Sequence, residues 1–589
     1  MKHTSLLLCL LMLATLFSCR QKPEEANLVI LYTTDVHGAC LPLDFKLNKP
    51  AKTSLANVCS YVRQQRKENP DQVILLDNGD VLQGQPSIYF SNFIDTLQQH
   101  LVAEVNNYMQ YDAMTVGNHD IEPGEDVYNK RLPRQLNMPW LCANAIDQRT
   151  GEPMFKPYCI IKRQGMKIAV LGMITPHIHA WLPKSLWPNL EFQDMVECAR
   201  HWVPIIREQE KPDVLVGLFH AGVEYNSQGN DMDTPFNENG SIPVATKVPG
   251  FDIVLCGHDH LARQFDVVNT AGDTVRIVDA QTQSRMVGRI DIHLSRKQDN
   301  SYQKTFRTSL VDMADYAPDS AFCTHFQGNI DRVNDFVDTP LGQLTEDLVG
   351  EDGLFGPSTF MDFIHDAQLW ATGADISLAA VLSPHDIVPA GPITMRHLFS
   401  LYKYENQLFK LSMSGSDIKK YLEFGFDRQF ATMKSAEDHL LAFKYNANGE
   451  IETNSYGPVY LTPTFNFTSA AGIKYTLDLT RPTGDRVSIL SLSDGTPFDM
   501  DKHYTVAINS YQASGGGDFI PKGLGWDDET LKQHTLDTTP KDVRRYIAEY
   551  IQLKQTITPH LRNDWIILPH EWWLCGKERD KNFIHPEQR

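Results

Sequence analysis

The 589-residue chain has no Cys-x-x-Cys pair, no long basic run, no internal repeat and no low-complexity tract. Without a Cys-x-x-Cys pair there is no sign of a cysteine metal clip or a dithiol redox motif. Eight cysteines lie beyond the first twenty residues: Cys40, Cys59, Cys142, Cys159, Cys198, Cys256, Cys323 and Cys575. Their pairing is not readable from sequence, and most are expected to be small buried hydrophobes. The net charge of −19, with no basic tract, argues against a nucleic-acid polymer as partner. A small anionic substrate stays open if metal ions supply the positive charge. Beyond residue 19 no apolar run is long enough to span a bilayer. What remains is an ordinary globular composition, 42% hydrophobic and 22% charged, long enough for more than one domain.

The first nineteen residues read as a targeting segment. Lys2 supplies a positive start, and residues 6–17 form an apolar core too short for a comfortable membrane span. Leu16-Phe17-Ser18-Cys19 resembles a bacterial lipobox, so Cys19 is expected to become a lipidated N-terminus, with simple cleavage as the alternative. Residues 20–26 read as a tether, and Arg20 after the Cys argues against inner-membrane retention. The expected location is the periplasm or the outer membrane or cell surface, with membrane contact only through the anchor.

Chemistry-bearing residues concentrate in five turns, each after an apolar run of strand length. They are Asp35-Val36-His37-Gly38, Asn78-Gly79-Asp80, Gly117-Asn118-His119-Asp120, Phe219-His220-Ala221-Gly222 and Gly257-His258-Asp259-His260. Asp35 and His37, two apart on an extended turn, can face one ion. Asp80 is the better ligand in its turn, because Asp77 still lies near the strand and reads as a turn-capping carboxylate. Helix-like runs at 55–66 and 93–108 separate the first strands, and 158–161 with 167–174 read as a hairpin. His177 and His179 follow that hairpin and read as exposed loop residues or as neighbours of the site. Strands carrying ligands at their carboxyl ends, with helices between them, predict an α/β layered fold. Carboxylates, imidazoles and one amide suit Zn²⁺, Mn²⁺ or Fe²⁺ better than Ca²⁺. Two such ions can clamp a phosphoryl group.

After about Val311 the texture changes. Phe322, Phe326, Ile330 and Val333 share one helical face and mark a connector. Helices are expected at 416–430, with Ser416 as N-cap, and at 541–553; strands are expected at 474–479 and 503–508. Trp565, Trp572 and Trp573 have no functional reading and are expected to pack.

Taken together, the five turns resemble those of the calcineurin-like metallophosphoesterases. With the later half, the chain resembles the exported 5′-nucleotidase / 2′,3′-cyclic nucleotide 2′-phosphodiesterase (3′-nucleotidase) family over roughly residues 28–553. The resemblance implies a four-layer α/β/β/α catalytic domain at 27–311, a connector helix at 312–338, an α+β substrate-binding domain at 339–555 and a C-terminal extension at 556–589. It implies two divalent ions. Asp35, His37 and His260 would hold one, Asn118, His220 and His258 the other, and Asp80 would bridge. His119 would act as acid or charge stabiliser, oriented by an acidic residue that is either Glu122 or Asp120. The stretch from Asn509 to Phe519 resembles the family's substrate loop. The resemblance sets Tyr511 and Phe467 on the two faces of a nucleobase, with Asn509, Gly516 and Asp518 in the same site. The family's Gly-Gly-Asp-Gly is here Gly-Gly-Gly-Asp.

Substrate choice follows from departures within the family. The 5′-nucleotidase branch carries an Asn-x-Gly-x-x-Arg segment where this chain reads Leu378-Ala379-Ala380-Val381-Leu382-Ser383-Pro384. That segment, Leu401-Tyr402-Lys403-Tyr404-Glu405-Asn406 and His260 in place of Gln resemble the cyclic phosphodiesterase branch. Arg396 or Arg486 would have to reach the site to restore a 5′-phosphate contact. The expected function is hydrolysis of 2′,3′-cyclic nucleotides to 3′-nucleotides and on to nucleosides. A 5′-nucleotidase or nucleotide-sugar hydrolase, a sulfur-compound hydrolase of the same fold, and a non-catalytic nucleotide-binding lipoprotein are the alternatives.

Overall fold

The structure, a computed structural model, describes residues 22–223, 234–454 and 457–585. The leader, with Cys19, lies outside the described residues, as does the start of the tether. Among the described residues no helix is long and apolar enough to cross a membrane, and the eight cysteines are all free.

The N-terminal half holds two six-stranded sheets packed face to face. One runs in the order Tyr302–Asp312, Met286–Arg296, Glu25–Thr33, Val73–Asp77, Ala113–Thr115, Trp140–Leu141. The other runs Ala262–Val268, Thr274–Ala280, Ile253–Cys256, Val214–His220, Met166–Ile174, Tyr158–Arg163. Alternation along each strand builds the layers, because successive side chains point to opposite faces. In the first strand Leu28, Ile30 and Tyr32 enter the core between the sheets, while Val29 and Leu31 enter an outer core. That outer core is covered by the helices Leu55–Glu68 and Leu101–Met109 and by Phe322 and Phe326 of the connector. On the second sheet Val214, Val216 and Leu218 face inward, while Leu215 and Phe219 meet the helix Met195–Gln209. The result is the expected α/β/β/α stack. The central strands of both sheets are parallel. Their carboxyl ends therefore lie on one side, and the five turns gather there.

The connector is two helices, Ser320–His325 and Gln327–Val337, and Phe322, Phe326, Ile330 and Val333 are buried as their spacing implies. The C-terminal half is built on a five-stranded sheet in the order Ser469–Ala471, Ile376–Ala379, His503–Asn509, Gln407–Ser414, Thr535–Asp542. The Trp-bearing tail joins this half. Thr556–Ile557 pairs with Pro340–Leu344, and Trp565–Leu568 pairs with Ile473–Asp478. The Trp565 ring stacks on Tyr475 at 5.4 Å and 8°.

Two local expectations are corrected. Residues 93–108 do not form one helix. A turn at Phe90–Ile94 ends there, and a fresh helix starts at Leu101, where the His100 side chain accepts from Val102 N–H and Ser91 Oγ from Leu101 N–H. The cap of the helix Gly415–Gln429 is Ser414, whose Oγ accepts from Asp417 N–H, not Ser416.

Candidate active site

Five of the seven expected ligands sit in the left-handed backbone region: Asp35 (φ 50°), His37 (44°), Asp80 (57°), His258 (80°) and His260 (61°). A non-glycine residue held there costs about 1–3 kcal/mol, and such strain gathers where side chains must be aimed. The aim is inward. Ligand atoms of Asp35, His37 and His260 lie within 4.8 Å of one another, as do those of Asp35, Asp80 and His220, and of His37, Asp80 and His119. His37 Nε2 is 3.0 Å from His260 Nε2, and His260 Nε2 is 3.3 Å from Asp35 Oδ1. His220 Nε2 is 3.1 Å from Asp80 Oδ2 and 3.2 Å from Asn118 Oδ1. His258 Nδ1 is 2.9 Å from Asn118 Oδ1.

Hydrogen bonds behind the rings say which nitrogens are free. His220 Nδ1–H donates to Asn78 O at 2.6 Å, and His37 Nδ1–H donates to Gln83 Oε1 at 3.0 Å. Both rings therefore present a bare Nε2 lone pair to the centre. Asp80 Oδ2 is buried with no hydrogen bond. Nitrogen and oxygen atoms of imidazole, amide and carboxylate thus converge at about 3 Å. Such a donor set fits divalent cations, and its mixture of N and O atoms suits first-row transition metals or zinc. Burial and His260 push the His37 ring down to about 3, against the pull of Asp80. Burial opposes charge on His220 as well, but Asp80 and Asp35 outweigh it and lift the ring to about 10, so the carboxylates call for a positive charge at Nε2, a place that a divalent cation would take from the proton.

His119 takes part in one of the tight clusters, yet its Nδ1 is committed to Glu122 Oε1 at 2.6 Å. Burial works against its charge, and Glu122 with Asp80 outweighs burial, raising it to about 9. Asp120 is not its partner. Its two oxygens accept backbone N–H groups from Asp80, Val81, Leu82 and Gly117 at 2.8–3.0 Å, tying two ligand turns together. Gly117 allows this closeness, since a Cβ there would lie 2.1 Å from Asp80 Oδ1. Asp77 is a turn residue, accepting from Gly79 N–H and Thr33 Oγ1–H.

Beside the cluster a cavity of about 280 Å³ opens between the two halves of the chain. Asn118, His119, Glu122, Trp181, Glu238 and His258 line it from one side, and Leu382, Tyr404, Asn406, Phe465 and Tyr511 from the other. A larger cavity of about 860 Å³ lies elsewhere on the N-terminal half, around Glu191, Arg200 and His201, and holds none of these groups. The smaller one carries the chemistry.

Here the structure departs from several expected positions. Phe467 is 0% exposed and packs against Tyr460 in the C-terminal core. Phe465 takes its place, edge to face with Tyr511 at 5.9 Å and 85°. The turn Thr464–Asn466 sends Phe465 and Phe467 to different surroundings, which motif position alone did not resolve. Asn509 is a helix cap, its Oδ1 accepting from Gln512 N–H. Gly516 acts on the Tyr511 ring, because a Cβ there would lie 2.6 Å from it. Asp518 pairs with Lys522 at 3.0 Å and does not line the cavity. Arg396 is tied to Asp338 and Phe45 O, and Arg486 to Phe430 O and Thr432. Neither reaches the site, and among the described residues no lysine or arginine lines the cavity. The sequence reading missed Trp181, Glu238 and Phe465, and gave Tyr404 no role of its own. Trp181 stands 5.3 Å from the His258 ring, and Glu238 Oε1 accepts from His258 Nε2–H at 3.0 Å. Neither carries a motif signal, since both come from loops outside the five turns. His177 contacts Trp181 at 5.2 Å, behind the cavity wall rather than in it.

Residues 28–262 match the calcineurin-like phosphoesterase family, and residues 340–522 match the 5′-nucleotidase C-terminal domain. The chain is a two-domain metallophosphoesterase, and so a hydrolase. Its family is dependent on divalent metals. A 2′,3′-cyclic-nucleotide 2′-phosphodiesterase/3′-nucleotidase of Yersinia enterocolitica is 24% identical over 95% of this chain and 91% of its own length. The trifunctional nucleotide phosphoesterase protein YfkN of Bacillus subtilis is 24% identical over 92% of this chain. The match spans 39% of that longer protein. Among solved structures, a putative 5′-nucleotidase of Staphylococcus aureus superposes with a TM-score of 0.74 at 22% identity, over 92% of this chain and 100% of its own. Two-domain architecture is thus common to this metallophosphoesterase and that protein.

Proposed function

We propose that this metallophosphoesterase is an exported enzyme that hydrolyses 2′,3′-cyclic nucleotides to 3′-nucleotides, and these on to nucleosides. The observation that carries the reading is the cavity, with converging polar side chains on one wall, aromatic rings on the other and no lysine or arginine among its described lining residues. Asp35, His37 and His260 would hold one divalent ion, Asn118, His220 and His258 the other, and Asp80 would be shared. Bound there, the ions supply Lewis acidity and a hydroxide at neutral pH. The protein's own residues do the rest. Phe465 and Tyr511 take the base between them, one ring turning out of the edge-to-face pair to admit it. His119, held through Nδ1 by Glu122, presents Nε2 as the proton donor to the leaving 2′-oxygen. The segment 378–384, which brings Leu382 to the cavity wall, has no Arg where the 5′-nucleotidase branch carries Asn-x-Gly-x-x-Arg. A terminal phosphate with nearly two charges gains from a guanidinium fork; a singly charged cyclic diester needs less.

The relatives named for the cyclic activity support this reading, and the names of others support 5′-nucleotidase action as the second reading. Export rests on the N-terminal leader and its lipobox-like end. The ratio of kcat/KM for 2′,3′-cyclic AMP and 3′-AMP against 5′-AMP tests the assignment. A preference for the first two, with 3′-AMP visible as an intermediate, is expected. A clear preference for 5′-AMP, without that intermediate, overturns it.

A further inference from the structure

We infer that Glu238 is a positioning residue for one metal site, holding His258 in the tautomer that can bind an ion. The inference rests on the two-ion reading of the site. Glu238 comes from a loop outside the five turns, yet its Oε1 lies 3.0 Å from His258 Nε2. A carboxylate only accepts, so Nε2 carries the ring proton. The ring is then left with a lone pair on Nδ1. That atom faces Asn118 Oδ1 at 2.9 Å, another acceptor, and Asn118 Oδ1 in turn lies 3.2 Å from His220 Nε2. His220 is oriented the same way by Asn78 O, and His37 by Gln83.

The three rings thus share one device: a protein acceptor takes the outer proton, and the inner lone pair turns to the centre. For His220 that acceptor is backbone, fixed by the fold. For His258 it is the part-exposed side chain of Glu238, in the cavity wall beside Trp181. Without it, His258 can place its proton on Nδ1, donate to Asn118 and close the site with an internal hydrogen bond. Trp181, packed 5.3 Å from the His258 ring, restricts ring rotation but offers no acceptor to the nitrogen.

The test uses the full exported chain, freed of metal and titrated with Mn²⁺ by equilibrium dialysis. Glu238→Leu removes the acceptor; Glu238→Gln keeps an amide oxygen that still accepts from Nε2–H. The parent protein is expected to bind two ions. Glu238→Leu should hold one as the parent does and the other about 10–100-fold more weakly. Glu238→Gln should stay within a few-fold of the parent, and the unfolding midpoint of the metal-free forms should not move. His258→Ala should lose the same ion. Two ions held by Glu238→Leu at the parent's affinities overturn the inference and leave the two-ion reading standing. Equal losses in the Leu and Gln variants also overturn it. A parent that binds no Mn²⁺ overturns both.

Discussion

His119 and Glu122 illustrate how little separates a ligand from a catalyst at the residue scale. The rings of His37 and His119 lie 5.2 Å apart, but His37 gives its Nδ1 proton to a neutral amide and His119 gives its own to a carboxylate. The carboxylate favours a charged ring that can donate a proton from Nε2, and seven other residues already supply the proposed ligands. His119→Ala should therefore keep both ions and lose kcat by about 10²–10⁴-fold. Glu122→Gln should lose less. Metal content measured beside turnover decides; loss of an ion from His119→Ala would make the residue a ligand. Phe465 and Phe467 make a second contrast. Phe465→Ala should raise KM for nucleotides, by about 1–3 kcal/mol of lost stacking, with stability nearly unchanged. Phe467→Ala should instead cost about 3–5 kcal/mol of folding free energy, since it empties a buried site. Urea unfolding of the two variants separates the roles.

At the scale of elements, the site depends on turns that follow parallel strands. Each strand is anchored on both faces by buried apolar side chains, so its end is placed before the turn begins. The turn is then free to adopt a strained backbone, with the Asp120 carboxylate stapling two turns by four N–H bonds. The same logic of local satisfaction sets helix ends in the second domain. Ser414 and Asp417 cap one another at the start of Gly415–Gln429, whereas Ser416 already lies inside and donates to Met500 O. Ser414→Ala should cost about 1 kcal/mol in chemical denaturation and Ser416→Ala less. Equal costs would mean that the cap is shared.

For the whole molecule, the proposed function puts catalysis and base recognition on different domains, and the interface sets their distance. Tyr89 of the first domain donates to Asp542 of the second at 2.9 Å, and the buried Arg544 lies 5.0 Å from the Tyr89 ring. Lys46 pairs with Asp386 across the same divide at 2.6 Å. Division of labour has a kinetic signature. Tyr511→Ala should weaken nucleotide hydrolysis yet leave bis(p-nitrophenyl) phosphate hydrolysis nearly intact, because that small diester engages the first domain alone. Equal losses on both substrates would show that the variant displaces the domain rather than the stacking surface.

The amino-acid sequence by itself determined the α/β character of the first domain and the five polar turns. Apolar runs of strand length, each ending in an Asp, Asn or His turn, point to strands that carry these residues at their carboxyl ends, while the four layers and the set Asp35, His37, Asp80, Asn118, His220, His258 and His260 came from the family resemblance. Contacts between residues distant in the chain were decided by the tertiary structure. Glu122 rather than Asp120 partners His119, because Asp120 is consumed by the backbone of a turn forty residues upstream. Phe465 rather than Phe467 faces Tyr511, because a three-residue turn separates the two rings. Glu238 and Trp181 reach His258 from loops whose local sequence gives no reason to look there. Local periodicity specifies which face of an element is buried. It carries no information about which distant polar group completes a hydrogen bond, and that depends on how the layers and the two domains pack.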